Sequence, residues 1–206
     1  MTGNGTKVIA AVLGDVGART PALPEAVRSF TGYVPFAEGA SGHDEDVSAV
    51  VTMHVDGDAG VARSLDLAAL LQAPVEAYLV DERRQWNDFT PPVIAQVSFV
   101  HRKPDLTRDE FADHWSNVHT GLARTHHPGV CRYTQNVVIE PLTPGAREID
   151  GIAELSFRSE TDLRERFYDS DAGKQVIRAD VREFIDVPRG WRLLGREIRL
   201  RGPLGS

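Results

Sequence analysis

Cysteine is nearly absent: Cys131 stands alone among 206 residues. A lone thiol cannot form an internal disulfide, so burial and hydrogen bonding must hold the chain together, as suits a reducing compartment. Long apolar runs are missing too. No stretch of about 18 apolar residues occurs, which argues against a membrane-spanning helix. The start, "MTGNGTK", lacks the apolar core of a signal peptide, and a cytoplasmic location is the expectation. Positive charge is in deficit, with 23 Lys+Arg against 30 Asp+Glu and a net charge of −7. Nucleic acid and anionic membranes do not suit such a chain as partners, because both need clustered cations. The most basic stretch, "VREFIDVPRGWRLLGREIRLR", is interleaved with acids and reads as a solvated helix end and strand. The closing "GPLGS" resembles a cloning scar and carries no weight for the fold.

What is present is enough for a packed core: 41 % apolar and 26 % charged residues, the balance of a globular protein. Two halves meet near "QWNDFTPP", where Pro91-Pro92 can continue neither a helix nor a central strand. The second half opens with "VIAQVSFVHR", rich in β-branched and aromatic residues and read as a strand. A helix follows in "LTRDEFADHWSNVHTGLART", with Thr107 and Glu110 spaced as a capping box. "GVCRYTQNVVI" and "GIAELSFRS" read as two further strands. "ETDLRERFYDSDAGKQVIRADVREFID" reads as a helix pair broken near Ser170, and "GWRLLGREIRL" as a last strand. This order, β-α-β-β-α-β, is that of a ferredoxin-like α+β unit.

The first half repeats the order faintly. "KVIAAVLG" is a strand, "PALPEAVRSF" a short helix and "YVPF" a stub strand before the polar loop "AEGASGHDED". "VSAVVTMHV" is then a strand, "GVARSLDLAALLQA" a helix and "PVEAYLVDERRQW" a strand. The expectation is an α+β chain of two ferredoxin-like repeats, a degenerate one over 1–90 and a longer one over 91–201. Each sheet has one bare face, and two such sheets in one chain bury them against each other as an intramolecular dimer.

The stretch "LTRDEFADHWSNVHTGLA", with its F-x-x-x-W-x-x-x-H pattern, is followed by "DGIAELSF" and "YDSDAGKQVIRADVREFID". Together, over roughly residues 93–198, these resemble the EthD family of the dimeric α+β barrel superfamily. The first half carries none of these signatures. Members of that family usually dimerise to build the barrel; here the chain supplies both halves, so a further homodimer is not required. The resemblance implies chemistry on a small apolar or aromatic substrate without a compulsory cofactor, as in polyketide cyclases, dehydratases and cofactor-free monooxygenases of quinol-like substrates. It also admits accessory proteins that only hold an intermediate, and haem binding, which would give a Soret band. Scaffold and site follow more firmly than a reaction.

Four of the seven histidines fall between Phe111 and His127. On a helical wheel Phe111, Trp115, Val118 and Leu122 share the face expected to meet the sheet, with His119 and His114 on its two borders. His119 occupies the histidine position of the family pattern and is the candidate proton carrier, since a histidine side chain, with an unperturbed pKa of about 6.5, can move protons near neutral pH. Asp180, at the D-x-x-x-F position that ends at Phe184, is expected to orient it. Ile177, Val181, Phe184 and Ile185 form the buried stripe of that last helix. Tyr133 shares a strand face with Cys131, Gln135 and Val137, and would orient a phenolic or carbonyl group. Trp115 and Phe184 would line the substrate side, with His114 beside them and Tyr168, next to Asp169 at the helix break, on the rim. Each has a plainer alternative as core, cap or surface. His126 and His127 suit the dipole of a helix C-terminus, and Cys131 suits a small core residue. A metal site is not expected: His114 and His119, five residues apart, diverge by about 140° on a regular helix.

Overall fold

In the computed structural model, residues 6–14, 21–35, 46–88, 92 and 94–201 are described. The loop expected at 37–46 lies almost wholly outside them, as do both termini and much of the linker. Eight strands and several short helices make up the chain, beginning with β1 (Thr6–Leu13), β2 (Val27–Pro35), β3 (Val47–Val55), α1 (Ala59–Ser64), α2 (Leu67–Leu71), β4 (Val75–Asn87) and β5 (Ile94–Val100). The second half continues with α3 (Arg108–Asp113), a π-helical turn (His114–His119), α4 (Thr120–His126), β6 (Val130–Pro141), β7 (Gly151–Phe157), α5 (Glu160–Glu165), α6 (Asp171–Phe184) and β8 (Trp191–Arg201).

All neighbouring strands are antiparallel and close into one barrel in the order β1-β3-β2-β8-β5-β7-β6-β4. The first four strands and the last four meet along two seams, β2 against β8 and β4 against β6. Closure leaves no sheet edge unpaired, which removes the bare-face and bare-edge problems together.

Two-residue alternation then sorts the side chains into three layers. Val8, Ala10 and Val12 of β1 pack outward with Met53, Val55 and Leu79 under α1 and α2. Ile9 and Ala11 point inward, where they meet Tyr78, Val97, Phe99, Ile152 and Leu193 from both halves. Phe111, Trp115, Tyr133, Leu155, Phe157 and Phe184 fill the layer between the second half's strands and its helices.

Most elements lie where hydrophobic periodicity places them. Thr107 and Glu110 form the expected capping box, and Ser170 caps α6 by accepting from the Gly173 N–H. The exception is "PALPEAVRSF". Residues 21–26 are not helical, and Val27–Phe30 already belong to β2, bulged between Val27 and Ser29 to fit β3. Pro21 and Pro24 disfavour a helix there, and the barrel needs a long β2 to bond β8. "GVARSLDLAALLQA" likewise splits in two, because the Asp66 side chain caps a new helix at the Ala69 N–H.

Gly151 fixes how closely β7 approaches the helix above it. A β-carbon there would lie 2.5 Å from Trp115 Cζ3 and 3.1 Å from Phe111 Cζ. Gly151→Ala is therefore expected to destabilise the protein by about 1–3 kcal/mol, the usual cost of overpacking. Urea unfolding of the variant measures this directly; a loss under 0.5 kcal/mol, by the order of a tolerated surface change, would mean that the indole moves aside freely.

Candidate active site

The helix over β6 and β7 is not regular. Between α3 and α4 it widens into a π-helical turn from His114 to His119. The extra residue changes which side chains face inward. Val118, expected in the apolar stripe, is 47 % exposed, while His119 and Ala123 are buried. The cause lies in β6: Gln135, fully buried, donates through Nε2 to the Trp115 carbonyl at 2.9 Å and to Thr120 Oγ1 at 2.9 Å. Thr120 Oγ1 itself donates to the same carbonyl at 3.2 Å. Side-chain donors thus satisfy a carbonyl at the point where the regular i→i+4 ladder is interrupted.

That insertion overturns the expected divergence of His114 and His119. In a π turn residues i and i+5 fall nearly in line, and both imidazoles reach one carboxylate on α6. His119 Nδ1 lies 2.7 Å from Asp180 Oδ2, and His114 Nε2 lies 2.8 Å from Oδ1. Burial acts to raise the Asp180 pKa, but the bonds to His119 and His114 outweigh it and hold the carboxyl below its usual range. An ionised carboxylate only accepts, so both facing ring nitrogens must be donors. In the neutral rings, His119 Nε2 and His114 Nδ1 are consequently left as lone-pair acceptors. Neither has a hydrogen-bond partner among the described residues.

Phe184, fully buried, backs both rings, with centroids 4.7 Å from His114 and 5.3 Å from His119. The His114 side chain is 26 % exposed, whereas that of His119 is only 9 % exposed. Tyr133 stands edge-on to His119 at 6.5 Å. Its oxygen accepts from Trp115 Nε1 at 2.8 Å and from Gln135 Nε2 at 3.3 Å, so its own O–H remains free to donate. Burial pushes this phenol well above its ordinary pKa, which keeps the proton on.

Six of the seven singled-out side chains thus come together: His114, Trp115, His119, Tyr133, Asp180 and Phe184. Tyr168 does not join them; its ring packs on Phe167 and His127, with Lys174 Nζ above it. Trp115 and Phe184, expected to line the substrate side, instead pack with Phe111 and Tyr133 and fill the space between helix and sheet. Two open clefts of ≈ 430 Å³ lie elsewhere, and neither is lined by His119 or Asp180. His127 corrects the helix-end reading. It is buried, donates through Nδ1 to the Phe167 carbonyl at 2.5 Å, and is pushed down to about 4 by burial, so it is no cation for the dipole. His126 instead pairs with Asp169 at 3.0 Å. Burial raises the Cys131 thiol, which donates to the Ser156 carbonyl at 3.3 Å.

The role of Gln135 escaped the sequence, although a glutamine on the same strand face as Tyr133 and Val137 was the available signal. Among the described residues no three His, Cys, Asp or Glu side chains are grouped as metal ligands would be. Both Asp180 oxygens are already engaged by imidazoles.

Residues 103–188 match the EthD domain family. Nearly the whole chain is similar in structure to an anthrone oxidase-like protein, with a TM-score of 0.61 and 11 % identity over 96 % of this chain and 92 % of that one. It is similar as well to a candidate monooxygenase of Fusobacterium nucleatum subsp. nucleatum (TM-score 0.56, 9 % identity, 98 % and 95 % covered). A mutant chlorite dismutase from Candidatus Nitrospira defluvii in complex with cyanide gives 0.55 and 11 %, with 98 % and 93 % covered. At such identities the likeness is one of fold: an α+β barrel of the dimeric type, closed within one chain. No curated protein matches the sequence. No helix among the described residues is long and apolar enough to cross a membrane.

Proposed function

With residues 103–188 forming an EthD domain, we propose that the protein is a small-molecule enzyme in which His119 moves a proton on an aromatic or polyketide-like intermediate. The observation that carries this reading is the shared carboxylate, which fixes the His119 tautomer and leaves Nε2 as a base. His119 Nε2 takes a proton from a carbon acidified by a neighbouring carbonyl, and Asp180 stabilises the imidazolium that forms. The Tyr133 O–H is suited to donate to the enolate oxygen as charge gathers there. In dehydration the imidazolium returns its proton to the departing hydroxyl, releasing water. In cyclisation the carbanion attacks a second carbonyl, and the proton goes to the new alkoxide. Substrate would meet His119 at the small exposed part of its side chain, and His114, on the other carboxylate oxygen, would exchange protons with solvent.

An oxygenase reading shares the first step. The fold likeness to an anthrone oxidase-like protein and to a candidate monooxygenase supports it. There the carbanion would give its electrons to dioxygen; a ring methylene would become a carbonyl and dioxygen would end as that oxygen plus water.

We also take 1–90 and 91–201 as two copies of one β-α-β-β-α-β unit, the first lacking the site and showing no helix among its described residues 21–26. Supporting this, each half places its strands in the order last, first, third, second.

Deleting the gene in its host and complementing with wild type or His119→Ala tests the function. A precursor one water heavier than the product identifies a dehydratase, and one of equal mass a cyclase. One with two more hydrogens and one fewer oxygen identifies the oxygenase. Full restoration of production by a well-folded His119→Ala protein would leave only an accessory protein that holds the intermediate.

A further inference from the structure

The end of the barrel holds an arrangement that the proton chemistry does not use. A cleft of ≈ 430 Å³ opens where the segment after β5, the loop before β7 and the turn before β8 converge. Its floor is the apolar interior itself, through Val138 and Ile149. Its walls carry four guanidiniums on a chain whose net charge is −7.

Two of the four are engaged. Arg102 Nε bonds Asp150 at 3.1 Å, and Arg147 Nε bonds Glu76 at 2.7 Å while its guanidinium covers the Trp191 ring. The other two have no carboxylate partner among the described residues: Arg108 donates only to the Ile139 carbonyl at 3.2 Å, and Arg189 forms no ion pair. Glu148 is the one wall carboxylate left unpaired among the described residues, and it stands exposed at the rim.

His101 supplies a second, independent observation. It lines the cleft, is 93 % buried by its 7 % exposure, and its imidazole makes no hydrogen bond among the described residues. Its ring nitrogens are not among the sealed, unpartnered polar atoms, so on the cleft wall their bonding capacity is open to a ligand. Burial first, then the nearby Arg189 charge, lowers its pKa, so near neutral pH the ring is uncharged and can donate one hydrogen bond.

The geometry points to a binding site for a small organic monocarboxylate with an apolar body. The apolar body would rest on Val138 and Ile149, with the carboxylate between Arg108 and Arg189 and one oxygen accepting from His101. Two free guanidiniums against one rim carboxylate suit a single negative charge, and their forked N–H groups match a carboxylate's two oxygens. An apolar floor favours a ligand that also has surface to bury.

Benzoate, benzyl alcohol and inorganic phosphate serve as probes, read by calorimetry and by the ring nitrogen resonances of His101. Benzoate is expected to bind once per chain and shift those resonances saturably. Benzyl alcohol and phosphate should each bind at least tenfold more weakly. Arg189→Ala, a change of an exposed residue that leaves the fold intact, should weaken benzoate at least tenfold, about 1.4 kcal/mol, and Arg108→Ala should act alike. Absence of a saturable His101 shift, or benzoate affinity unchanged in both variants, would overturn the site. Phosphate binding as tightly as benzoate would overturn the assignment of its ligand class. His119→Ala should leave benzoate affinity unchanged, so this site and the proton chemistry stand or fall separately.

Discussion

Replacing His119 with alanine is expected to lower turnover by roughly 10²–10⁴-fold, the usual contribution of a positioned general base, while the protein stays folded. The side chain is largely buried, yet its removal leaves Asp180 still bonded by His114. The carboxylate therefore keeps a hydrogen-bond donor, and the helix keeps its tie to α6. Asp180→Asn should do comparable harm for a different reason. An amide donates through one atom and accepts through the other, so it cannot accept from both rings. One histidine must then turn a lone pair toward it and carry its hydrogen on the far nitrogen. If that histidine is His119, Nε2 becomes a donor and can no longer take a proton. Rate measurements on both variants, with circular dichroism to confirm the fold, check this. A native spectrum with an unchanged rate in His119→Ala would sink the mechanism.

The largest expected stability effect lies on the opposite side of the sheet. Lys7, 4 % exposed, points into the barrel and bonds Glu82 at 2.8 Å and Glu154 at 2.5 Å. Glu154 also accepts from the Tyr33 hydroxyl at 2.7 Å and from Asn136 Nδ2 at 3.0 Å. His54 bonds Glu82 at 3.0 Å and Ser29 at 2.7 Å, extending the chain of contacts. Lys7, Tyr33, His54 and Glu82 come from one half of the sequence, Asn136 and Glu154 from the other. The network therefore joins the two halves. Lys7→Met is expected to cost about 3–5 kcal/mol, because it strands a buried carboxylate rather than merely deleting a bond. By the scaling for a chain of this size, the melting temperature should fall by roughly 6–20 °C. Adding Glu154→Gln should recover part of the loss, since the stranded charge is then gone. A single-variant cost below 1 kcal/mol, the range of an exposed pair, would show that water already screens the network.

The same groups set the acid limit. Burial acts to raise both Glu82 and Glu154, but Lys7 outweighs it, and each carboxyl is held below its ordinary value of 4.5. A depressed folded-state pKa stabilises the protein above the unfolded value and loses that contribution as pH falls toward the folded one. Stability should accordingly be level above pH 4.5 on their account and decline below it. In Lys7→Met the decline should be smaller or reversed, because burial then acts on the carboxyls without the ammonium and protonation relieves the stranded charge. Unfolding curves between pH 3 and 7 measure both.

Much of the second half was legible in the chain because its signals are local. Thr107 and Glu110 announce a helix start three residues apart, and Ser170 announces another. Alternation along "CRYTQNVV" separates Tyr133 and Gln135 from Arg132, Thr134 and Asn136, and the structure places Tyr133 under the helices and Asn136 in the barrel. The W-x-x-x-H and D-x-x-x-F patterns pointed to His119 and Asp180, which lie 2.7 Å apart. The first half was harder, because "AVRSF" satisfies a helix locally and became strand only to complete a barrel with β8.

By itself the sequence determined the element types that rest on spacing, the lack of an internal disulfide, and the residues from which a site could be made. Tertiary structure alone decided that His114 and His119 face one carboxylate. That depends on Gln135, sixteen residues beyond His119 in the chain, reaching the Trp115 carbonyl and widening the helix by a residue. It alone decided that Lys7 meets Glu154, 147 residues away. Local spacing fixes which way a side chain points along its own element, because backbone geometry repeats every 3.6 or 2 residues. It carries no information about what a neighbouring strand brings to that spot. One buried amide donor there was enough to turn two diverging histidines into a pair.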